Sequence, residues 1–446
     1  MSELASDLLE RLRAIVGPAH VLTEPDVRAG YEVDWTGRFR GTTPAVVRPG
    51  STDEVAAVVG LCAGDGVALV PQGGNTGLVG GGVPLAGEVV LSTRRLRRLE
   101  PVDDLAGQVT VGAGSTLGEV QAHAAAAGWA VGVDLAARDS ATVGGMVATN
   151  AGGLAFLRHG GMRAQVAGVE AVLGDGSVVS HLGGLLKDNT GYDLAGLLCG
   201  SEGTLAIVTA VRLRLVPPAR EQVVALLGVD GVAGALAAVR HLRRAGVVLD
   251  AAEVFLDAGM ELVCAHLGVA RPLAPAAAYL LVEWEGAAED LAALDVVDAV
   301  VADDAGRRAA LWRYREAHTD AVNALGVPHK LDVTLPLAAL ATFVDDVAGV
   351  VEAVAPGSTV VQFGHVADGN IHVNVVGPAP DDDAVDDAVL RLVAERGGSI
   401  SAEHGIGTAK KRWLHLARSE SELAAYRSLK RALDPAGILN PNVLLP

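Results

Sequence analysis

The stretch FGHVADGNIHVNVV (363–376) reads as two strands joined by an irregular link containing Asp368, Gly369 and Asn370. Side chains alternate faces along a strand, so His372 and Asn374, two apart, share one face. His365 closes the first strand and can face the same space. Two imidazoles converging across strands form metal-ligand geometry. A third ligand is available in SAEHGIG (401–407), where Glu403 and His404 precede a glycine-rich turn. Three neutral or acidic N/O ligands leave a position open for substrate, the pattern of a catalytic rather than a structural zinc. A hydrogen-bonded core histidine is the usual fate of a single buried His. It explains less well two on a strand pair followed by Glu-His.

A second constellation lies in LWRYREAHTDAVNALGVPHKLDVTLP (311–336). The spacing predicts a helix over 312–325, with Arg315 and Thr319 four apart on one face. After Gly326 and Pro328 comes a strand in which Lys330, Asp332 and Thr334 alternate with apolar neighbours. Lys330 can then face a cleft. Arg315, Thr319 and Lys330 together would hold a carboxylate; the alternative is an ordinary cationic helix face.

The third signal is glycine. PQGGNTGLVGGGVP (71–84), SATVGGMVATNAGG (140–153) and CGSEGTLAIVT (199–209) are spread over some 140 residues of a chain with 55 glycines. Glycine lets backbone N–H groups approach a ligand and adopt positive φ, which suits a pyrophosphate met by backbone donors. There is no GxxxxGK[ST], and no GxGxxG opens a helix after the first strand. Neither a Walker loop nor a Rossmann fingerprint is present.

The order PQGGNTGLVGG, VGAGSTLGEVQAHAAAAG, SATVGGMVATNAGG, SEGTLAIVT resembles the FAD-binding domain of vanillyl-alcohol-oxidase type flavoproteins, in the branch that oxidises D-2-hydroxy acids. The resemblance covers nearly the whole chain. It implies an α+β protein with a two-part FAD-binding domain and an α+β substrate, or cap, domain. Carried over residue by residue, it makes Pro71, Gly73, Gly74, Asn75, Thr76, Gly77, Ser140, Thr142, Gly144, Gly145, Asn150, Gly152, Gly153, Gly203 and Ile207 candidates for FAD contact. Covalently flavinylated relatives often carry His near the end of the first loop. Here the residues are Gly73-Gly74-Asn75-Thr76, so a non-covalent FAD is expected. Two departures are Arg138-Asp139, where small residues are more usual, and Ala206 in place of a frequent Gly.

The strings Gly364-His365, Asp368-Gly369-Asn370-Ile371-His372-Val373-Asn374 and Glu403-His404-Gly405 are similar to signatures of this family. The resemblance implies that His365, His372 and Glu403 bind a divalent metal, zinc by expectation, and that His404 takes the substrate hydroxyl proton. A divalent cation can lower the pKa of a coordinated water from about 15.7 to about 7, and a coordinated hydroxyl should respond likewise. A histidine titrates near neutrality and can accept the proton. The Arg315, Thr319 and Lys330 spacing, and the arm 31–41 (YEVDWTGRFRG), look most like the D-2-hydroxyglutarate dehydrogenase subgroup. There those three side chains, with Asn374, would bind a two-carboxylate substrate. The expected activity is FAD- and metal-dependent oxidation of D-2-hydroxyglutarate, or a similar D-2-hydroxy dicarboxylate, to the 2-oxo acid. Alternatives are a D-lactate or glycolate dehydrogenase of the same family and, in another class, a non-redox flavoenzyme or a silent FAD-binding subunit. Neither an iron–sulfur cysteine cluster nor an NAD fingerprint is present. Electrons are therefore expected to leave to an external acceptor: electron-transfer flavoprotein, a quinone or a dye.

The elements that must position these residues follow from composition and pattern. The chain has 446 residues, enough for two or three domains. It is 50% hydrophobic and 20% charged, a globular and not a disordered composition. Its net charge, 35 − 53 = −18, argues against nucleic acid and anionic membranes as partners. Three widely spaced cysteines, Cys62, Cys199 and Cys264, form no CxxC pair and fit a reducing compartment, hence cytoplasm. The N-terminus reads as an amphipathic helix rather than a signal peptide. The most apolar long stretch, 223–249, is broken by charges, so no membrane span is expected. Ser51 should cap a helix with Glu54 completing a capping box, and a second helix should end at Gly128. Arg94, Arg95, Arg97 and Arg98 form a basic patch in sequence. DDDAVDD (381–387) reads as a solvated acidic loop or helix start. Pro217-Pro218 marks the best boundary. The expected organisation is residues 1–219 for FAD with an N-terminal arm, 220–402 for substrate, and 403–446 returning to the FAD domain.

Overall fold

The computed structural model describes residues 3–219 and 222–446. Residues 1 and 2, at the start of the expected amphipathic helix, and residues 220 and 221, where the substrate domain was expected to begin, lie outside the described residues. The chain divides into two compact units. Unit one holds residues 1–153, 159–218 and 403–446; unit two holds 154–158 and 219–402.

In unit one, β1 (Val21–Leu22), β2 (Val46–Val47), β3 (Leu69–Gln72) and β4 (Val89–Ser92) form a sheet in the order β1-β2-β4-β3. A second sheet is built on β5 (Gln108–Gly112), β6 (Ala130–Val131), β7 (Val166–Leu173), β8 (Val178–His181) and the long β9 (Ala206–Val216). The helix Thr52–Asp65 starts where its cap signal lies, with Ser51 accepting from the Glu54 amide. The reciprocal bond falls one residue early, from Gly50 N to Glu54 at 2.7 Å. The helix Leu117–Ala126 carries a complete box between Thr116 and Glu119. The C-terminal segment is stitched into the first sheet, where Leu69 N donates to Ile438 O and Asn440 N to Leu69 O.

Unit two is a seven-stranded antiparallel sheet made of β10 (Gln222–Val229), β11 (Leu249–Leu256), β12 (Ala278–Glu285), β13 (Asp298–Ala302), β14 (His329–Thr334), β15 (Thr359–His365) and β16 (Asn370–Val376). Its order is β13-β10-β12-β11-β15-β16-β14. Helices cover both faces, which is why β10 through β12 read as nearly unbroken apolar runs rather than as alternation. On one face Phe255, Tyr279, Leu281 and Phe363 pack against Met260, Leu311, Trp312 and Val322 of the helices Asp257–Leu267, Ala305–Glu316 and His318–Asn323. On the other, Gln362 bonds Val344 O in the helix Leu337–Val354, and His329 meets Asp386 in the helix Ala384–Glu395. Asp386 in the acidic run is thereby buried rather than solvated.

One expectation is corrected. The helix predicted over 312–325 starts earlier, at Ala305, and breaks at Ala317, whose ψ of −9° ends one helix and starts the next. Arg315 and Thr319 therefore sit on two successive helices, not on one face of a single one. No Gly or Pro marks this break. No helix among the described residues is long and apolar enough to cross a membrane.

Candidate active site

Strand register brings the chemistry of unit two onto one sheet face. Across β14, β16 and β15, Asp332 pairs with His372 and His372 with Phe363; one step away, Thr334 pairs with Asn370 and Asn370 with His365. Across β11, His365 pairs with Glu253. In the other direction Lys330 pairs with Asn374. Because side chains alternate, all of these residues project from the same side. The His365 and His372 rings lie 5.5 Å apart at 79°, with nitrogens of the two within 4.8 Å.

Each histidine leans on a buried carboxylate that sequence reading missed. His365 Nδ1 is 2.6 Å from Glu253 Oε1, and His372 Nδ1 is 3.4 Å from Asp332 Oδ1. Glu253 and Asp332 are 1% and 0% exposed, so these contacts fix ring orientation and present the Nε2 edge. Burial alone would raise the Glu253 carboxyl; the His365 imidazole and the Arg315 guanidinium outweigh it and hold it below the usual carboxylate range. Asp332 also accepts from Asn370 Nδ2 at 2.8 Å and from Ala402 N at 3.1 Å. Two imidazoles oriented by carboxylates, with Asn370 Oδ1 buried and without a hydrogen-bond partner, form a donor set that suits a divalent cation.

Arg315 is not an open cation. Its Nε lies 2.7 Å from Glu253 Oε2, poorly aligned for a hydrogen bond, and its guanidinium stacks 4.7 Å from the centre of the Phe363 ring. Lys330 is half-buried, and desolvation lowers its pKa against the opposing charge of Asp320. Thr319 is half-buried on the second helix. Asn374 is buried, its Nδ2 loosely bonded to Val361 O at 3.4 Å. Beneath this group His318 is fully buried, and desolvation pulls its pKa down to about 3, so it is neutral. Its ring lies between Phe255 and Phe363, at 4.8 and 5.0 Å. Its Nδ1 is 3.1 Å from Arg315 O.

In unit one the three glycine loops converge. A Cβ on Gly73 would overlap Thr142 Oγ1, one on Gly74 would overlap Ser140 O, and one on Gly203 would press on Pro71 at 3.2 Å. Loop 71–84 is held by Arg94, which donates to Gly73 O and Gly74 O at 3.1 Å, and by Gln72, which donates to Tyr31 O and Gly82 O. Asn75, at φ 57°, donates to Val33 O, tying the arm to the loop. With these carbonyls engaged, the amides of Gly74, Asn75, Thr76 and Gly77 meet no acceptor among the described residues. Thr142 Oγ1 is buried and likewise without a partner. Orphaned amides beside an orphaned hydroxyl fit a cofactor diphosphate.

Other candidates are placed around these loops. Gly144 packs on Ala113 and gives its amide to Ala113 O; Gly153, at φ 137°, abuts Asp134 O. Asn150 caps the helix Val143–Thr149 in the left-handed region and accepts from Arg163 N. Ser140 is exposed, and Ile207 is buried in β9. The basic patch is dispersed: Arg95 bonds Arg48 O, Arg97 pairs with Glu119 and Arg98 with Glu100. Arg138 pairs with Asp134 through two 2.8 Å bonds. Glu403 and His404 open the last segment of unit one.

Comparison with known proteins agrees with this architecture. Residues 43–181 match the FAD binding domain family, and residues 218–444 the C-terminal domain of FAD linked oxidases. The chain is 40% identical to the mitochondrial D-2-hydroxyglutarate dehydrogenase of Bos taurus, covering 100% of this chain and 84% of that protein. It is 38% identical to the D-2-hydroxyglutarate dehydrogenase of Xanthomonas citri pv. viticola, over 97% and 96% of the two chains. It is also 34% identical to a putative mitochondrial D-lactate dehydrogenase of Schizosaccharomyces pombe, over 94% and 85%. Among solved structures, p-cresol methylhydroxylase superposes with a TM-score of 0.80 at 17% identity, covering 99% of this chain and 97% of that one. An alkyldihydroxyacetonephosphate synthase gives 0.77 at 18%, covering 98% and 84%. At such identities these two speak for the fold. Fold and loops together define a flavoprotein of the vanillyl-alcohol-oxidase type. The chain belongs to the FAD-linked oxidase family, and within it to the FAD-dependent hydroxy-acid dehydrogenases.

Proposed function

We propose that this enzyme oxidises D-2-hydroxyglutarate, or a closely similar D-2-hydroxy dicarboxylate, to the 2-oxo acid. The observation that carries this reading is the shared sheet face: the Lys330–Asn374 pair lies one step along the strands from the Asp332–His372–Phe363 row. A substrate with its hydroxy-acid end near His365 and His372 would have its far carboxylate near Lys330. The 34–40% identity to proteins named D-2-hydroxyglutarate dehydrogenase supports the same choice.

His365, His372 and Glu403 would hold a divalent metal, with zinc or manganese suited to imidazole and carboxylate ligands. Glu403 follows Ala402, whose amide is bonded to Asp332. When bound, the metal would make the 2-hydroxyl more acidic, and the non-covalent FAD would accept the hydride from C2. The chain's own part is to bind, orient and move a proton. His404 Nε2 or Nδ1 takes the hydroxyl proton. Lys330, Asn374 and Thr319 hold the carboxylate ends and so select the C2 face presented. Electrons then pass to an external acceptor such as electron-transfer flavoprotein, a quinone or a dye. Three free cysteines fit a reducing, cytoplasmic setting.

One observation favours a second reading. Arg315 already faces the Glu253 carboxylate, which weakens it as an anchor for substrate. A shorter acid such as D-lactate or glycolate needs no far anchor. The ratio of substrates tests this. Lys330→Met should cost D-2-hydroxyglutarate roughly 10- to 150-fold in kcat/KM, the worth of one charge-assisted hydrogen bond, and leave D-lactate little changed. Equal losses would favour the shorter acid.

A further inference from the structure

We infer that Glu202 is a positioning residue for Glu403 and His404, holding the turn that carries them against the third glycine loop. The inference rests on the proposed roles of those two residues but on different atoms. Glu202 is 9% exposed and sits at φ 52°, a left-handed conformation that non-glycine residues adopt only when their surroundings enforce it. Both carboxylate oxygens are used. Oε1 accepts from Ile406 N at 2.8 Å and Oε2 from Gly407 N at 2.7 Å. These amides lie two and three residues beyond His404.

The turn is also held by close backbone contacts. Gly405 is at φ +83° and Gly407 at φ +54°. A Cβ on Gly405 would meet Glu202 Oε1 at 2.9 Å, and one on Gly407 would overlap Val79 O. Thr408 N and Ala409 N donate to Val79 O at 2.9 and 3.2 Å, and Leu444 N donates to Gly407 O. Glu202 is itself anchored by Asn440, whose Nδ2 donates to Glu202 O and to Gly81 O, both at 2.9 Å. The Glu202 carboxylate therefore joins the third glycine loop to the turn after His404, and Asn440 ties the Glu202 backbone carbonyl to the first loop. Burial pushes this carboxyl up, while the two amides and Lys410 oppose the rise.

Two amides, one aimed at each oxygen, discriminate sharply between carboxylate and amide. Glu202→Gln replaces one acceptor by an N–H₂ group facing an N–H donor, so the turn must rotate away while side-chain volume stays the same. Removing a group bonded directly to a metal ligand typically costs 10–100-fold in metal affinity or activity, and that range sets the scale for losing a group that holds the ligand's turn.

The test uses purified FAD-loaded enzyme. Glu202→Gln should keep its flavin absorbance and melt close to wild type. Anaerobic flavin bleaching by D-2-hydroxyglutarate should slow about 10- to 100-fold, and Zn²⁺ affinity, read by chelator competition, should fall on the same scale. Gly405→Ala, which crowds the same carboxylate from the turn side, should give the same signature. Wild-type bleaching and Zn²⁺ binding in Glu202→Gln, with His404→Ala and Glu403→Gln impaired, would overturn the inference alone. Wild-type behaviour in those two controls would instead overturn the site reading. Loss of fold or flavin in both Glu202→Gln and Gly405→Ala would also overturn it, making Glu202 a scaffold group.

Discussion

Replacing Glu253 by Gln perturbs the site at the group that sequence reading missed. Glu253 is 1% exposed and faces both His365 Nδ1, at 2.6 Å, and Arg315 Nε, at 2.7 Å. Arg315 is itself 8% exposed, so neutralising the carboxylate strands a buried guanidinium. Breaking a buried pair from one side costs about 3–5 kcal/mol. The amide keeps the shape and one acceptor, worth about 1 kcal/mol, leaving an expected loss of about 2–4 kcal/mol. In a unit of this size each kcal/mol moves the midpoint by about 2–4 °C, so the transition of unit two should fall by roughly 5–15 °C. The flavin should stay bound, since unit one holds the glycine loops. His365 loses the partner that orients it, so flavin reduction should also slow about 10- to 100-fold. Thermal melts followed by tryptophan fluorescence read the first effect, and stopped-flow bleaching the second. A double-mutant cycle with Arg315→Gln should show a coupling of about 1–3 kcal/mol. A Glu253→Gln enzyme that melts within about 0.5 kcal/mol of wild type and bleaches normally would refute the buried charge pair as a working part.

Burial lowers the Lys330 pKa, so its charge is present below that value and lost earlier than in an exposed lysine as pH rises. The alkaline limb of kcat/KM for D-2-hydroxyglutarate should therefore fall below about 10.4, the ordinary lysine value, and Lys330→Arg should move it upward; D-lactate should show no such limb. Gly74→Ala would drive a methyl into Ser140 O, a backbone atom that cannot swing aside, so FAD should dissociate on gel filtration where wild type retains it. Gly259→Ala sets two effects against each other in the helix Asp257–Leu267. Helix propensity favours Ala by about 1 kcal/mol, but the methyl would lie 2.7 Å from His318 Nε2, and overpacking costs about 1–3 kcal/mol. We expect net destabilisation by urea melts; a stabilised variant would show that His318 yields.

The parts legible in sequence were those whose signal is local. His365, His372 and Asn374 could be read because a strand's period of two forces a common face, and the glycine loops because close approach excludes every other residue. Glu253 was illegible: one of the two acids in LDAAEVFL acquires meaning only when β11 pairs with β15, more than a hundred residues away. Asp332 sat in a strand already noticed, yet its burial depends on the register of β14 with β16. The break at Ala317 carries no Gly or Pro and follows from packing. Arg94 to Arg98 looked like a patch because sequence shows charges but not the carbonyls and carboxylates that Arg94, Arg95, Arg97 and Arg98 reach.

The central claim is the identity of the reductant, and anaerobic bleaching of the bound flavin measures it without knowledge of the acceptor. D-2-hydroxyglutarate, L-2-hydroxyglutarate, D-malate, D-lactate and glycolate should be compared at equal concentrations on the purified holoenzyme. The account predicts that D-2-hydroxyglutarate bleaches fastest, that its L-enantiomer is inert, and that chelation abolishes bleaching while the enzyme stays yellow. Faster bleaching by D-lactate or glycolate, or equal bleaching by both enantiomers, would contradict it.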